Sequence, residues 1–280
     1  MKRCFLSKFF VSRSQIDKTN NNSNDSDNNN NNNNNNNGEH AEITIVGTDV
    51  NHIKNVLRYG IGKHLEICCK EDSKNYICEI TNITSDKIIC KILEEVKETQ
   101  SEVESNIILD VYQGLPKYEK MELIIQKGTE LGVHSFIPVK MKRSIVKLNE
   151  KDAAKKVERW NKISEVAAKQ SLRDIVPMVE MPITINDLSN RISNYDIAIL
   201  AYEEEKDNYI KSELCKVKEK HIDKLKVAII IGPEGGLDPE EVHKLKENGA
   251  KVVSLGKRIL RTETASMQLA SIIMYELENN

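Results

Sequence analysis

Val227-Ala-Ile-Ile-Ile231 is an unbroken apolar run, mostly β-branched, with Gly232 and Pro233 directly behind it. A run this short and continuous reads as a strand buried on both faces, and the Gly-Pro pair forces the chain to turn. Asp238-Pro-Glu-Glu241 then supplies an N-cap, a proline at the first helical position and a carboxylate at the third, so a helix opens there and runs to about Asn248-Gly249. Val252 to Leu255 is a second buried run, broken by Gly256. Ala265, Leu269, Ile272 and Ile273 recur at helical spacing and mark a closing helix. Strands covered on both faces belong in a sheet between helices, and the two glycine loops are expected to leave neighbouring strands at the same edge.

A tight turn with no ligand is one reading of such a loop. The other is a ligand site, and the residues narrow its chemistry. A phosphate loop needs Lys-Ser or Lys-Thr after its last glycine, and a dinucleotide loop needs a three-glycine spacing that admits pyrophosphate; neither is present. Glu234, Asp238, Glu240 and Glu241 surround the helix N-terminus with negative charge, which repels a phosphate. A neutral or cationic ligand fits better.

Upstream, Ile107 to Val111 reads as a strand, and Lys117 to Leu131 as a helix stopped by Gly132, with Met121, Ile124, Ile125 and Leu131 on a common side. Gly128 within that helix costs about 1 kcal/mol relative to alanine, which points to a neighbour packed closely on its backbone. Ser135 to Val139 is the next strand. Lys140, Lys142, Arg143 and Lys147 cluster after it, either as a solvated loop or as a basic patch. Asn149 caps a long helix carrying Ala153, Val157, Trp160, Ile163 and Ala167, which makes Trp160 a core residue. Ile197 to Ala201 is another buried strand. Strands alternating with helices over 106–280 make an α/β domain with a mainly parallel sheet.

Residues 39–100 differ. Ile43–Val46, Leu65–Cys69, Tyr76–Thr81 and Lys87–Leu93 are short strand patterns separated by turns, with a helix at His52–Leu57, and read as a small β-barrel. Lys97 to Asn106 is charged, without periodicity, and reads as a linker. Residues 1–38 read as a tail outside either core: Met1 to Gln15 carries Lys2, Arg3, Lys8 and Arg13 with serines and no acid, the composition of an organellar transit peptide, against an unstructured basic tail. The Asn-rich tract behind it has nothing to bury. The six cysteines show no Cys-x-x-Cys pair, so no metal is expected and most read as buried core residues. A net charge of −2 confines any nucleic-acid contact to local patches.

Gly232-Pro-Glu-Gly-Gly-Leu237 with Leu255-Gly-Lys-Arg-Ile-Leu-Arg-Thr-Glu-Thr-Ala265 resembles the RsmE-type ribosomal RNA uridine-N3 methyltransferases of the knotted SPOUT superfamily. Lys117, Gln126-Lys-Gly-Thr-Glu-Leu-Gly132, Arg143-Ser144, Trp160, Glu165 through Gln170-Ser171, Arg173 and His52-Ile-Lys-Asn-Val-Leu-Arg58 extend the resemblance over about 40–280. It implies a PUA-like barrel followed by a methyltransferase domain with a deep trefoil knot. Its loops would hold S-adenosylmethionine through Ala201 and Tyr202; through Ile231, Gly232, Pro233, Glu234, Gly235 and Gly236; and through Leu255, Gly256, Ile259, Leu260, Thr264 and Ala265. Arg261 and Arg143 become candidates to stabilise charge on the reacting uridine, with Glu234 and Glu263 as orienting groups, as base, or simply as caps of backbone amides. Arg58, Lys140, Lys142, Arg143 and Arg173 become candidate RNA contacts, though Arg58 reads equally as a solvated arginine. The implied partners are small-subunit ribosomal RNA or the ribosomal subunit and a second copy of the chain, with no membrane. The implied site of action is an organelle, or the cytoplasm if the tail carries no address. A noncatalytic RNA-binding or ribosome-assembly protein on the same fold also predicts RNA binding, but not binding of S-adenosylmethionine.

Overall fold

The computed structural model describes residues 6–17, 41–96, 103–219 and 223–278. The chain divides into two compact units, Met1–Glu102 and Val103–Asn280.

The first unit contains β1 (Lys8–Val11), β2 (Ile16–Asp17), β3 (Glu42–Val46), a short helix α1 (Thr48–Asn51) continued by a π-helical turn (His52–Val56), β4 (His64–Cys69), β5 (Asn75–Ile83) and β6 (Lys87–Val96). The strands form one sheet in the order β1-β4-β5-β6-β3-β2. Only the β1 and β4 pair is parallel. Its two edge strands are consecutive in sequence, joined through a 3-10 turn at Arg13–Gln15. A flat sheet of this width would hold its edges about 24 Å apart, whereas the short connection reaches at most about 17 Å. The sheet therefore rolls up, and Phe9, Val11, Ile16, Ile43, Ile53, Leu65, Ile67, Tyr76, Ile80 and Ile88 fill the interior.

This corrects the reading of 1–38 as a tail apart from both cores. Phe9 and Val11 are buried in the barrel, and Arg13, read as part of a basic leader, pairs with Asp72. Lys8 and Glu66, directly opposite in the β1–β4 register, form a buried ion pair at 3.1 Å. Four residues of strand are too few to show a period, and the neighbouring Asn tract masks them. That tract, Met1–Phe5 and most of the proposed linker lie outside the described residues. Cys68, Cys69, Cys78 and Cys90 are buried, while Cys215 in the second unit is exposed.

The second unit contains β7 (Ile107–Gly114), α2 (Lys120–Glu130), β8 (Ser135–Lys140), α3 (Glu150–Gln170), β9 (Met178–Val179), β10 (Ile183–Thr184), α4 (Ile185–Arg191), β11 (Ile197–Ala201), α5 (Ile210–Lys218), β12 (Leu225–Ile231), α6 (Pro239–Glu247), β13 (Lys251–Val253) and α7 (Thr262–Glu278). The sheet runs β10-β8-β7-β12-β11-β13, with β9 beside β8, and every pair is parallel. β12 lies between β7 and β11, covered on both faces: Val227, Ile229 and Ile231 join one core, Ala228 and Ile230 the other. β13 pairs with β11, not with β12 as the local pattern suggested, because β11 intervenes. Both glycine loops still leave the same edge, since all strands point one way. Gly128 shows its close neighbour: a β-carbon there would lie 2.6 Å from the Phe136 ring. Among the described residues no helix is long and apolar enough to cross a membrane.

Candidate active site

The carboxyl ends of β11 and β12, the loop after β13 and the start of α7 enclose a cavity of about 390 Å³, within the usual range for small-molecule sites. A crevice at the carboxyl ends of parallel strands is where an open α/β sheet leaves backbone groups free for a ligand. Ala201, Tyr202, Ile231, Gly232, Pro233, Glu234, Gly236, Leu255, Gly256, Ile259, Leu260 and Ala265 all line it, together with Arg261.

The loops are pinned by hydrogen bonds beneath the cavity. Thr262 Oγ1 donates to the Gly232 carbonyl at 2.6 Å, and Gln113 Nε2, at the end of β7, donates to Thr262 Oγ1 at 2.8 Å. Gly114 lets Pro233 settle on the strand end, where a β-carbon would sit 2.7 Å from the proline. Gly256 has φ of +119° and nothing within 4 Å of its absent side chain, so the loop there exposes bare backbone in a conformation that disfavours any other residue.

The charged wall centres on Lys120, which the sequence reading did not single out. Its Nζ lies 3.1 Å from Glu234 Oε1 and 3.4 Å from Glu263 Oε2. Glu234 also accepts a hydrogen bond from the Lys117 backbone N–H at 2.9 Å. Burial alone would raise the Glu234 carboxyl, but these partners outweigh it and hold it below its ordinary value; the bond to Glu234 in turn raises Lys120. At neutral pH the pair is therefore charged.

Other expected site residues fall elsewhere. Gly235 does not line the cavity; its missing side chain makes room for Arg143, whose carbonyl oxygen would lie 3.1 Å from a β-carbon. Arg143 backs the loop from outside, with Nη1 3.4 Å from the Gly235 carbonyl and Nε 3.9 Å from Asp238. Thr264 is exposed and off the cavity, and the hydroxyl that matters is that of Thr262, two residues earlier. Lys142 pairs with Asp238 and Glu240, so the carboxylates at the start of α6 are met by the basic cluster. Arg173 is buried and unavailable to phosphates: it donates to Glu104 at 2.7 Å and to the Val133 carbonyl at 2.5 Å. A lone arginine after a helix gives no local sign of such a partner 69 residues away. Lys140 is exposed, as is Arg58, which has φ of +55° at the end of the π-turn in the first unit. Glu203, from the loop after β11, and Ser254, Lys257 and Arg258, from the loop after β13, also line the cavity; Lys257 and Arg258 stand within the Leu255–Ala265 motif, whereas no spacing rule marks Glu203. Among the described residues no group of side chains is arranged to hold a metal ion.

A family profile described as an RNA methyltransferase domain matches residues 103–274, and one described as an RNA methyltransferase PUA domain matches residues 45–93. The chain is 40% identical over 240 residues to ribosomal RNA small subunit methyltransferase E of Bacillus subtilis, covering 86% of this chain and 92% of that one. It is 31% identical to the Aquifex aeolicus protein of the same name, covering 78% and 93%. A Legionella pneumophila protein solved in complex with the cofactor SAM superposes with a TM-score of 0.73 at 26% identity, covering 84% of this chain and 92% of that one.

Proposed function

The chain belongs to the ribosomal RNA small subunit methyltransferase E family of RNA methyltransferases, and from that membership we propose that it methylates N3 of a uridine in small-subunit ribosomal RNA with S-adenosylmethionine. The observation that carries this reading is the pinned cavity, which joins bare glycine backbone to an apolar wall and a charged pair.

The cavity fits that cofactor. Ala201, Ile231, Leu255, Leu260 and Ala265 offer an apolar lining for an adenine, Gly256 exposes backbone groups, and Glu203 and Glu234 suit a cationic ligand with hydroxyls. When bound, S-adenosylmethionine supplies an electrophilic methyl group. The protein contributes position and charge. As the uridine N3 proton leaves, the pyrimidine oxygens gain negative charge, and fixed cations at the rim stabilise it. Lys120, Lys257, Arg258 and Arg261 are the cations among the lining residues; the role falls to Arg261, beside the pinning Thr262, and to Lys120, which two carboxylates hold in place. Glu234 and Glu263 hold the Lys120 ammonium in place, and with its carboxyl lowered Glu234 serves as an anchor for that cation more than as a base. Arg143 steadies the loop from behind.

The family reading extends to a trefoil knot, supported by the late strand β12 lying between β7 and β11, and to a homodimer through the second unit, supported by the exposed Tyr275 on α7. Delivery to an organelle is part of the reading too, within a boundary: a leader removed on import would have to end before Lys8, because β1 is a barrel strand. Calorimetry tests the core of the proposal. Wild type should bind S-adenosylmethionine one to one and Gly236→Val should not, since a side chain there meets Glu203 at φ of +71°. A wild type that binds RNA but no cofactor would favour a noncatalytic assembly protein.

A further inference from the structure

A second cleft, of about 250 Å³, lies against the loop that leads from β7 into α2. Tyr118 stands on its rim with 88% of its surface exposed, although its backbone has φ of +54°. A bulky side chain in the left-handed region is an outlier that glycine would relieve, and the ring has no core to fill in return. Val146 and Trp160 line the cleft. Lys156 reaches over Trp160, its Nζ 5.9 Å from the ring centroid, and pairs with no carboxylate among the described residues; the neighbouring Arg159 is held by Glu122 at 2.8 Å.

The cleft adjoins the cavity. The Lys117 backbone is bonded to Glu234, and Lys120, two residues beyond Tyr118, lines the cavity itself. One short stretch of chain thus forms a wall of both hollows, so a strand that places one base in the cavity carries its neighbour past Tyr118.

We infer that this cleft binds the nucleotide flanking the target in single-stranded RNA, with its base stacked on Tyr118 and its phosphate met by Lys156. The inference rests on the proposed RNA substrate. An exposed aromatic ring beside an unpaired cation is what an unstacked base and its phosphate require, whatever the base.

The test uses the full chain and a short single-stranded RNA with a central uridine. Tyr118→Gly should raise the melting temperature, because glycine is at ease at this φ, yet weaken the RNA about tenfold. Tyr118→Phe should keep wild-type affinity. Lys156→Ala should reduce the salt dependence of binding by roughly one phosphate contact. S-adenosylmethionine affinity should be unchanged in all three. If wild type binds and methylates RNA while Tyr118→Gly and Lys156→Ala bind it equally well, the cleft is not an RNA site and the proposed function survives. Loss of self-association in the same variants would assign the cleft to a second copy of the chain and overturn the inference. A wild type that neither binds nor methylates RNA would overturn both.

Discussion

Gln113 Nε2 and Thr262 Oγ1 lie 2.8 Å apart and tie the end of β7 to the first turn of α7. Through Thr262 the tie continues to the Gly232 carbonyl. Thr262→Val keeps the shape but removes both bonds of the hydroxyl, leaving Gln113 Nε2 its 3.0 Å bond to the Gly114 carbonyl and the Gly232 carbonyl only a long 3.4 Å contact from the same amide, which should cost about 1–3 kcal/mol in stability and weaken S-adenosylmethionine. Thr264→Val, at an exposed position, should change neither. Urea titration and calorimetry on the two variants check this, and equal effects would remove Thr262 from the role.

The cation pair at the cavity should act on turnover more than on cofactor binding. Arg261→Ala and Lys120→Met are each expected to lower single-turnover methylation by roughly a hundredfold. Cofactor affinity should move only a few-fold. Arg261→Lys should recover part of the rate, since an ammonium keeps the charge but not the planar fork. Wild-type rates in either variant would exclude that residue.

Acid stability should depend on Asp110. Burial alone would raise its carboxyl, but hydrogen bonds involving His134, Ser135 and Tyr195, the last two at 2.6 and 2.8 Å, outweigh burial and hold it below its ordinary value. A lowered folded-state pKa stabilises the fold above the unfolded value, about 3.9, and that stabilisation is lost as pH falls through the folded value. Asp110→Asn should therefore be less stable than wild type at neutral pH and lose less on acidification below about pH 4. Urea midpoints across that range measure it; parallel curves would contradict it.

The first strand should prove structural. Phe9 is 3% exposed within the barrel, and Phe9→Ala should cost about 3–5 kcal/mol. Deleting residues 1–17 removes both sheet edges and should unfold the first unit. Circular dichroism and thermal melts check both, and a truncated protein as stable as wild type would show that β1 and β2 are dispensable.

What the sequence disclosed follows from range. Val227 to Ile231 and the Asp238 cap are local patterns, and the strand, the loop and the capping box Asp238 makes with Glu241 stand where they were expected. The order of strands is set by pairing between distant segments, so the place of β11 between β12 and β13 left no local trace. Likewise Arg173 looked free because Glu104, its partner, lies far upstream, and Lys120 looked like any solvated helix residue until Glu234 and Glu263 met it. In Arg261-Thr-Glu-Thr264 either threonine could face the cavity; which one does depends on where α7 begins.

Uridine methylation can be measured by supplying the purified chain with S-adenosylmethionine and small ribosomal subunits that lack the modification, then digesting the RNA to nucleosides for mass spectrometry. The expected product is 3-methyluridine, close to one per subunit, and none with Arg261→Ala in the same time. Methyl transfer to a carbon or ribose oxygen instead, or no transfer by a protein that binds both partners, would contradict the proposed function.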